Sequence, residues 1–249
     1  MHTKNYFGGV ALIFAAVSML LLGACNGKKS NAEAQGVATK TDLSQLKIGD
    51  YYYSDGTFST KQDSSKTCVG IVFSLKTTPA QKKQGWSHGQ IVALANAGAG
   101  EECEWGALGK ELGDPFGKYS WKNWKTASEV VNGYECSHAS SVASYKAFKA
   151  AAKFMIELPA GKTSGWYIPA VGQWAEIIVN LGKVQFKKDG SFDANMALGN
   201  LSMVGLKNHF YWTSTQVDKN LAWYVDFATG VCSGDSKDTR NKVRCVAAI

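Results

Sequence analysis

The sequence predicts an α+β domain with strands at both ends and two helices between them. Three observations carry this. Short β-prone stretches cluster before residue 98 and after residue 209. Two segments of helical periodicity fall between residues 140 and 182. The roughly 205 residues that follow the leader and tether, in a chain with 12% aromatic and 19% charged residues, have the composition of one packed domain and not of a disordered chain.

The elements follow in order. In Ile48–Thr60, IGDYYYSDGTFST, an Asp-Gly pair sits between β-prone runs and signals a hairpin. Cys68–Leu75 and the stretch His88–Gly98 read as short strands, the second ended by a Gly-rich turn. Residues 100–133 read as a loop-rich insertion with Trp105, Trp121 and Trp124 scattered through it. Ser140, Ser141, Val142, Tyr145, Phe148, Ala151, Ala152 and Met155 recur at helical spacing, with Lys146, Lys149 and Lys153 on another face, and this helix ends before Pro159. Trp166–Ile168 is extended because a residue before proline avoids the helical region. After Pro169 a second helix puts Trp174, Ile177, Ile178 and Leu181 on one face, with Gly182 as its C-cap. DANMALGNL is expected to hold a short helix, and FYWTST, LAWYVDF and KVRCVAAI are strands, the last pairing with the first.

The front of the chain carries the most specific motif. Lys4 and the apolar run Val10–Leu22 form a secretory signal, too short to be read first as a membrane span. It ends at Leu22-Gly23-Ala24-Cys25, a bacterial lipobox in which Cys25 takes a diacylglycerol and becomes the first mature residue. Two or three acyl chains on one residue give stable membrane anchoring. The expected organisation is therefore a leader at 1–24, a flexible Gly/Ser/Ala/Lys tether at 25–45 and a domain at 46–249, held in the bacterial cell envelope at the outer membrane, on its periplasmic or its surface face. The net charge of +7 suits anionic glycans but equally suits simple solubility, and no dense basic run points to nucleic acid.

Five cysteines remain after Cys25, an odd number in a disulfide-permissive compartment. Cys232 and Cys245 flank the last loop and are candidates to close it. Cys103 and Cys136 are candidates to tie down the insertion, and sequence alone does not settle the connectivity. None forms a C-x-x-C or lies at ligand spacing from a histidine, so neither zinc nor redox chemistry is expected, and no cofactor is implied.

Taken in order, GDYYYSDGTFS, GIVF, HGQIVALANAG, SGWYIPAVGQWAEI, YWTST, AWYVDFATG and the closing VRCVAAI resemble the DUF1566-type, or Lcl C-terminal-like, domains of exported lipoproteins of Bacteroidetes. The resemblance spans most of residues 46–249. It implies a C-type-lectin-like fold: a mixed or antiparallel sheet, two helices, long loops, and paired N- and C-terminal strands. It implies relatives that adhere to glycans or host surfaces, or bind diverse proteins as retroelement-diversified variable proteins do, and an enzyme group that generates formylglycine. The Glu-Pro-Asn and Trp-Asn-Asp calcium motifs of sugar-binding lectins are missing, and residues 234–238, GDSKD, lack calcium-loop spacing. The formylglycine chemistry cannot be placed on Cys232 and Cys245.

In such folds the last strands and their loops form the ligand face. The candidates here are Thr213, Gln216, Asp218, Lys219, Asn220, Tyr224, Asp226, Asp235, Lys237 and Arg240, joined by Thr215, Ser233 and Asp238. Trp212 and Trp223 are read as core. His88 and His209 read as structural or edge residues, Cys136 and His138 as neighbours without nucleophile geometry, and Glu176 as surface charge. No hydrolase, metalloprotease or dinucleotide motif occurs. The expected function is a lipid-anchored envelope protein that binds glycans or protein ligands. The alternatives are a diversified variable protein, a structural envelope component, or an enzyme of the same fold.

Overall fold

The computed structural model describes residues 37–117 and 123–249. The leader, Cys25, most of the tether and Trp121 lie outside the described residues. Structure begins before residue 46: Lys40 exchanges two backbone hydrogen bonds with Phe58, at 2.8 and 3.0 Å. Asp42 then caps a short 3-10 turn, Leu43–Gln45.

The architecture is α+β with antiparallel sheets. Strands β1 (Tyr51–Tyr53), β2 (Phe58–Ser59), β3 (Cys68–Ser74) and β4 (Gln90–Asn96) join the final strand β10 (Arg244–Ala248) in a five-stranded sheet ordered β10-β4-β3-β1-β2. The hairpin at Asp55-Gly56 forms as its residues dictate. Gly56 takes φ +83, and the Asp55 carboxylate accepts the Thr57 N–H at 2.9 Å. A second sheet holds β6 (Phe210–Gln216), β7 (Leu221–Asp226) and β8 (Val231–Ser236) in that order, and β5 (Cys103–Glu104) pairs with β9 (Arg240–Asn241).

The five-stranded sheet and strand β6 of the second sheet are covered on both faces, while β8 is half-exposed. Val72, Ile91, Ala93 and Ala247 enter a first apolar cluster, while Ile71, Phe73, Val92 and Val246 enter a second. Two-sided burial explains why GIVF reads as an unbroken apolar run and not as an alternation. In the second sheet Trp212 and Ala222 face the first cluster, and Tyr211, Trp223 and Val225 the second. The predicted core tryptophans are both fully buried.

The helices are short. They are α1 (Pro79–Lys83), α2 (Trp124–Ala127), α3 (Gly133–Ser137), α4 (Lys146–Ala152), α5 (Val171–Asn180) and α6 (Ala194–Asn200). Helix α1 starts with a capping box between Thr78 and Gln81, and α6 with the side chain of Asp193 on the Met196 N–H. Helix α5 seats Trp174, Ile177 and Ile178 in the second cluster, as its periodicity predicts.

Four expectations are corrected. The first and last strands share a sheet but do not pair: β3 and β4 separate β1 from β10, because β4 supplies the long apolar partner that β10 needs. The helix read from 140 to 155 is reduced to a 3-10 turn and α4. Val142, Tyr145, Phe148 and Ala151 are buried as expected, but Met155 is 88% exposed. Gly182 is not a left-handed cap. Lys183 takes that conformation at φ 57, and Gly182 is required because a Cβ would lie 2.4 Å from the Ile178 carbonyl oxygen. Finally, Val231–Ser236, read as loop, is a strand paired along its whole length with β7.

Candidate functional site

The end of the second sheet where β6 turns into β7 gathers three segments: the turn at 218–220, the turn that follows β8, and the loop at 105–117. The gathering is done by side chains that point inward. Gln216 is fully buried and treats Leu112 as a β-partner would. Its Oε1 accepts the Leu112 N–H at 3.1 Å, and its Nε2 donates to the Leu112 carbonyl at 2.5 Å. Lys237, also fully buried, donates from Nζ to the Lys110 carbonyl at 3.0 Å and to Gln216 Oε1 at 3.1 Å. Its ammonium sits 4.9 Å from the centre of the Trp105 ring. Trp105 in turn donates its indole N–H to the Thr213 carbonyl at 2.7 Å. The backbone N–H of Lys237 donates to the Asn220 carbonyl at 2.9 Å, tying the two turns together. Burial pulls the Lys237 pKa down to about 8, against the raising influence of Asp218 and Glu111.

Five predicted ligand residues are therefore structural. Thr213 and Gln216 are buried in β6, where the Thr213 hydroxyl donates to the Trp223 carbonyl at 3.0 Å, and Thr215 is buried beside it. Lys237 is the latch just described. Asp226 is buried at the opposite end of the sheet and accepts from the Ala228 and Thr229 N–H groups and the Thr229 hydroxyl. The residues of β6 were misplaced because a strand covered on both faces hides the polar side chains that simple alternation assigns to solvent, and Lys237 because its turn is folded inward onto Trp105.

The remaining candidates divide by position. Asp218 is half-buried and shapes its turn by accepting the Asn220 and Leu221 N–H groups at 2.7 and 2.9 Å, which leaves Lys219 and Asn220 exposed at the tip. Exposed Asp238 lies in the adjoining turn, and exposed Leu108 and Lys110 belong to the latched loop. Elsewhere, Tyr224 and Ser233 are half-buried cross-strand neighbours on β7 and β8. Phe210 packs edge-on against Tyr224 at 6.0 Å, and burial raises the pKa of that phenol. Asp235 accepts from the Ser236 N–H, the Thr239 hydroxyl and the Asn241 amide, so it holds the β8–β9 turn and is not a free ligand group. Arg240 is exposed and donates to the Glu102 carbonyl at 2.6 Å.

The structure thus assembles Asp218, Lys219, Asn220 and Asp238 with the 105–117 loop, and leaves Tyr224, Asp226, Asp235 and Arg240 outside that group. Sequence reading missed the loop's part in the site. Its one signal was Trp105, a large aromatic in a Gly-rich stretch, which needed a fixed partner.

All five cysteines in the described residues are free thiols. The Cys232–Cys245 and Cys103–Cys136 pairings do not form: Cys232 and Cys245 belong to different sheets and different apolar clusters, and the Cys136 thiol faces the Pro115 carbonyl at 3.7 Å. Burial pushes the Cys136, Cys232 and Cys245 thiols well above their ordinary range, which opposes thiolate formation. His138 Nδ1 lies 2.8 Å from the Tyr134 carbonyl and its ring stacks on Tyr134 at 4.3 Å. Among the described residues no group of three or more His, Cys, Asp or Glu is placed to hold a metal ion.

No protein-family model matches the chain, and no curated protein matches it. Among solved structures, a fimbrial protein from Bacteroides ovatus is similar over 82% of this chain and 49% of its own, with a TM-score of 0.53 and 15% sequence identity. The chain spans about half the length of that protein. At this identity the likeness is one of fold: an α+β architecture found also in a fimbrial protein.

Proposed function

We propose that the chain is a lipid-anchored envelope protein with a C-type-lectin-like domain, and that it binds glycans or surface proteins through the latched loop end. The observation that carries this reading is the bracket of Gln216 and Lys237 around Lys110 and Leu112. A long loop held at Lys110 and Leu112 by three side-chain hydrogen bonds to a sheet end, from two residues that are bonded to each other, is ordered before any ligand arrives. That removes most of the ordering cost that weakens loop-based recognition. The exposed groups are an amide at Asn220, an ammonium at Lys219 and a carboxylate at Asp238, which also accepts the Ser236 hydroxyl, with apolar Leu108 on the latched loop. This mixture suits hydroxyl-rich or protein surfaces and supplies no nucleophile or metal. A surface role fits the occurrence of this architecture in a fimbrial protein, and the Leu22–Cys25 lipobox supplies the anchor.

A glycan array that includes sulfated members, probed with the full chain, tests the reading. Saturable binding is expected, and the exposed-tip triple variant Lys219→Ala, Asn220→Ala, Asp238→Ala should abolish it without changing the thermal midpoint. Undiminished binding by the triple variant removes the loop end as the site. Absence of binding to every glycan and to intact host or bacterial cells removes the adhesive function. Cys25→Ser should move the protein from the membrane to the soluble fraction, and an unchanged distribution removes the anchor.

A further inference from the structure

A groove of about 550 Å³ lies between the end of β4 and helix α4, away from the residues of the latched loop. Its floor is Ala150 with Phe154, Met155 and Ile156, and its rim carries Lys146, Lys149 and Lys153. Three features of this groove stand unexplained by the domain's own packing. Met155 is 88% exposed although it lies in an apolar lining. The chain from Phe154 to Pro159 runs without helix, turn or bend, and the N–H groups of Met155, Ile156, Glu157 and Leu158 have no hydrogen-bond partner among the described residues. The stretch is held from its inner side, where Phe154, Ile156 and Leu158 pack against the first apolar cluster and the Trp166 indole donates to the Ile156 carbonyl at 2.7 Å. Lys146 pairs with Glu104 at 2.9 Å, whereas Lys149 and Lys153 have no ion pair among the described residues.

These features point to one kind of occupant. An open backbone edge is matched by another extended backbone, as in strand addition to a sheet edge. Unpaired ammonium groups along the rim are matched by carboxylates, and the apolar floor by a large apolar side chain. In an added strand, side chains alternate faces, so apolar and acidic residues in alternation meet floor and rim together. The chain's own tether does not fit, since residues 26–42 carry Lys28, Lys29 and Lys40 against Glu33 and Asp42. We propose that this groove docks an extended acidic segment of a partner protein, lying alongside Met155–Leu158 with its carboxylates on Lys149 and Lys153. This site is independent of the loop-end reading and stands or falls separately.

Fluorescence anisotropy with the full chain tests it, using a labelled pool of acetylated heptapeptides in which glutamate alternates with valine, leucine, isoleucine or phenylalanine. Saturable binding is expected, weakened at least ten-fold by the surface double variant Lys149→Glu, Lys153→Glu. It should also weaken at least ten-fold when alternate peptide amides are N-methylated, which blocks strand pairing and leaves charge intact. A lysine-for-glutamate pool should not bind. Failure of the acidic pool to bind overturns the proposal, as does binding that ignores either the charge reversal or the N-methylation. Vesicles of phosphatidylglycerol retained by the unmodified chain and not by the double variant, with no peptide binding, would assign the groove to a lipid surface and overturn it equally.

Discussion

Lys237 places a positive charge in a fully buried position without a carboxylate in hydrogen-bond contact, so its surroundings must do what water did. They do so with two oxygen acceptors and the face of Trp105. Replacing Gln216 by leucine strands four groups at once: the N–H and the carbonyl of Leu112, the Gly117 carbonyl, and the Lys237 ammonium, which loses one acceptor. Buried polar groups left unpaired cost about 1–3 kcal/mol each, and with partial relaxation Gln216→Leu should destabilise the domain by roughly 2–4 kcal/mol in urea denaturation. The pH dependence has a definite sign. The Lys237 pKa falls from 10.5 unfolded to about 8 folded, chiefly through desolvation. Across that interval the unfolded chain binds the proton and the folded chain does not. Stability contributed by this group therefore rises with pH from about 8 to about 10.5, and is lost as pH falls through 8. Lys237→Met should abolish that rise, which paired urea titrations at about pH 7.5 and about pH 10 would read. A wild-type advantage that does not grow with pH would contradict the assignment. None of this was legible in the sequence, where Ser-Lys-Asp reads as a solvated turn.

At the scale of elements, periodicity and turn chemistry were good guides wherever one cause dominated. The Asp55-Gly56 hairpin, the apolar runs of β3 and β4, the face of α5 and the Asp193-capped α6 formed as their residues predict. The misreadings have physical reasons. Strand β8 is VCSGDS, with only Cys232 buried, so no apolar pattern marks it. Its pairing comes from β7, the strand just before it in the chain, through a hairpin whose residues carry no alternating apolar signal. Helix α4 stops at Ala152, and the chain goes on extended with Phe154, Ile156 and Leu158 against the first apolar cluster and Met155 turned out into the open groove. Close approach between elements was likewise invisible. The Gly172 N–H donates to the Val130 carbonyl at 2.8 Å, and a Cβ on Gly172 would meet the Ser128 and Val130 carbonyl oxygens at 2.5 and 2.6 Å. Those oxygens belong to backbone, which cannot swing aside as a side chain can. Gly172→Ala should therefore cost about 1–3 kcal/mol by overpacking, despite alanine's better helix propensity. A melting temperature equal to or above wild type would show that the 128–130 segment yields freely.

For the whole molecule, the decisive feature is that the last strand is interior in its contacts while lying at a sheet edge in its pairing. Strand β10 pairs with β4, exchanges two backbone bonds with Tyr167 at 2.9 Å each, and ends with the Ile249 carbonyl accepting from His88 and Gly89. Residues 245–249 are all buried, and they feed both apolar clusters: Cys245, Ala247 and Ile249 one, Val246 the other. The hydrophobic close of the sequence made a core strand legible. It did not make the partner legible, since any of the early strands offered a comparable apolar edge. The energetic consequence can be bounded. Val246 and Ile249 alone contribute about 3–6 kcal/mol of burial, and the orphaned amides of β4, Tyr167, His88 and Gly89 add about 1 kcal/mol each. Together these match the whole net stability of an ordinary domain, about 5–15 kcal/mol. Removing residues 245–249 should therefore abolish cooperative unfolding and near-ultraviolet dichroism and expose the chain to protease along its whole length, with loss of the loop end as well as the groove beside α4. A truncated chain that still melts cooperatively, within a few degrees of the intact one, would mean that the two clusters hold without the strand that joins them, and that the loop latch is supported by the second sheet alone.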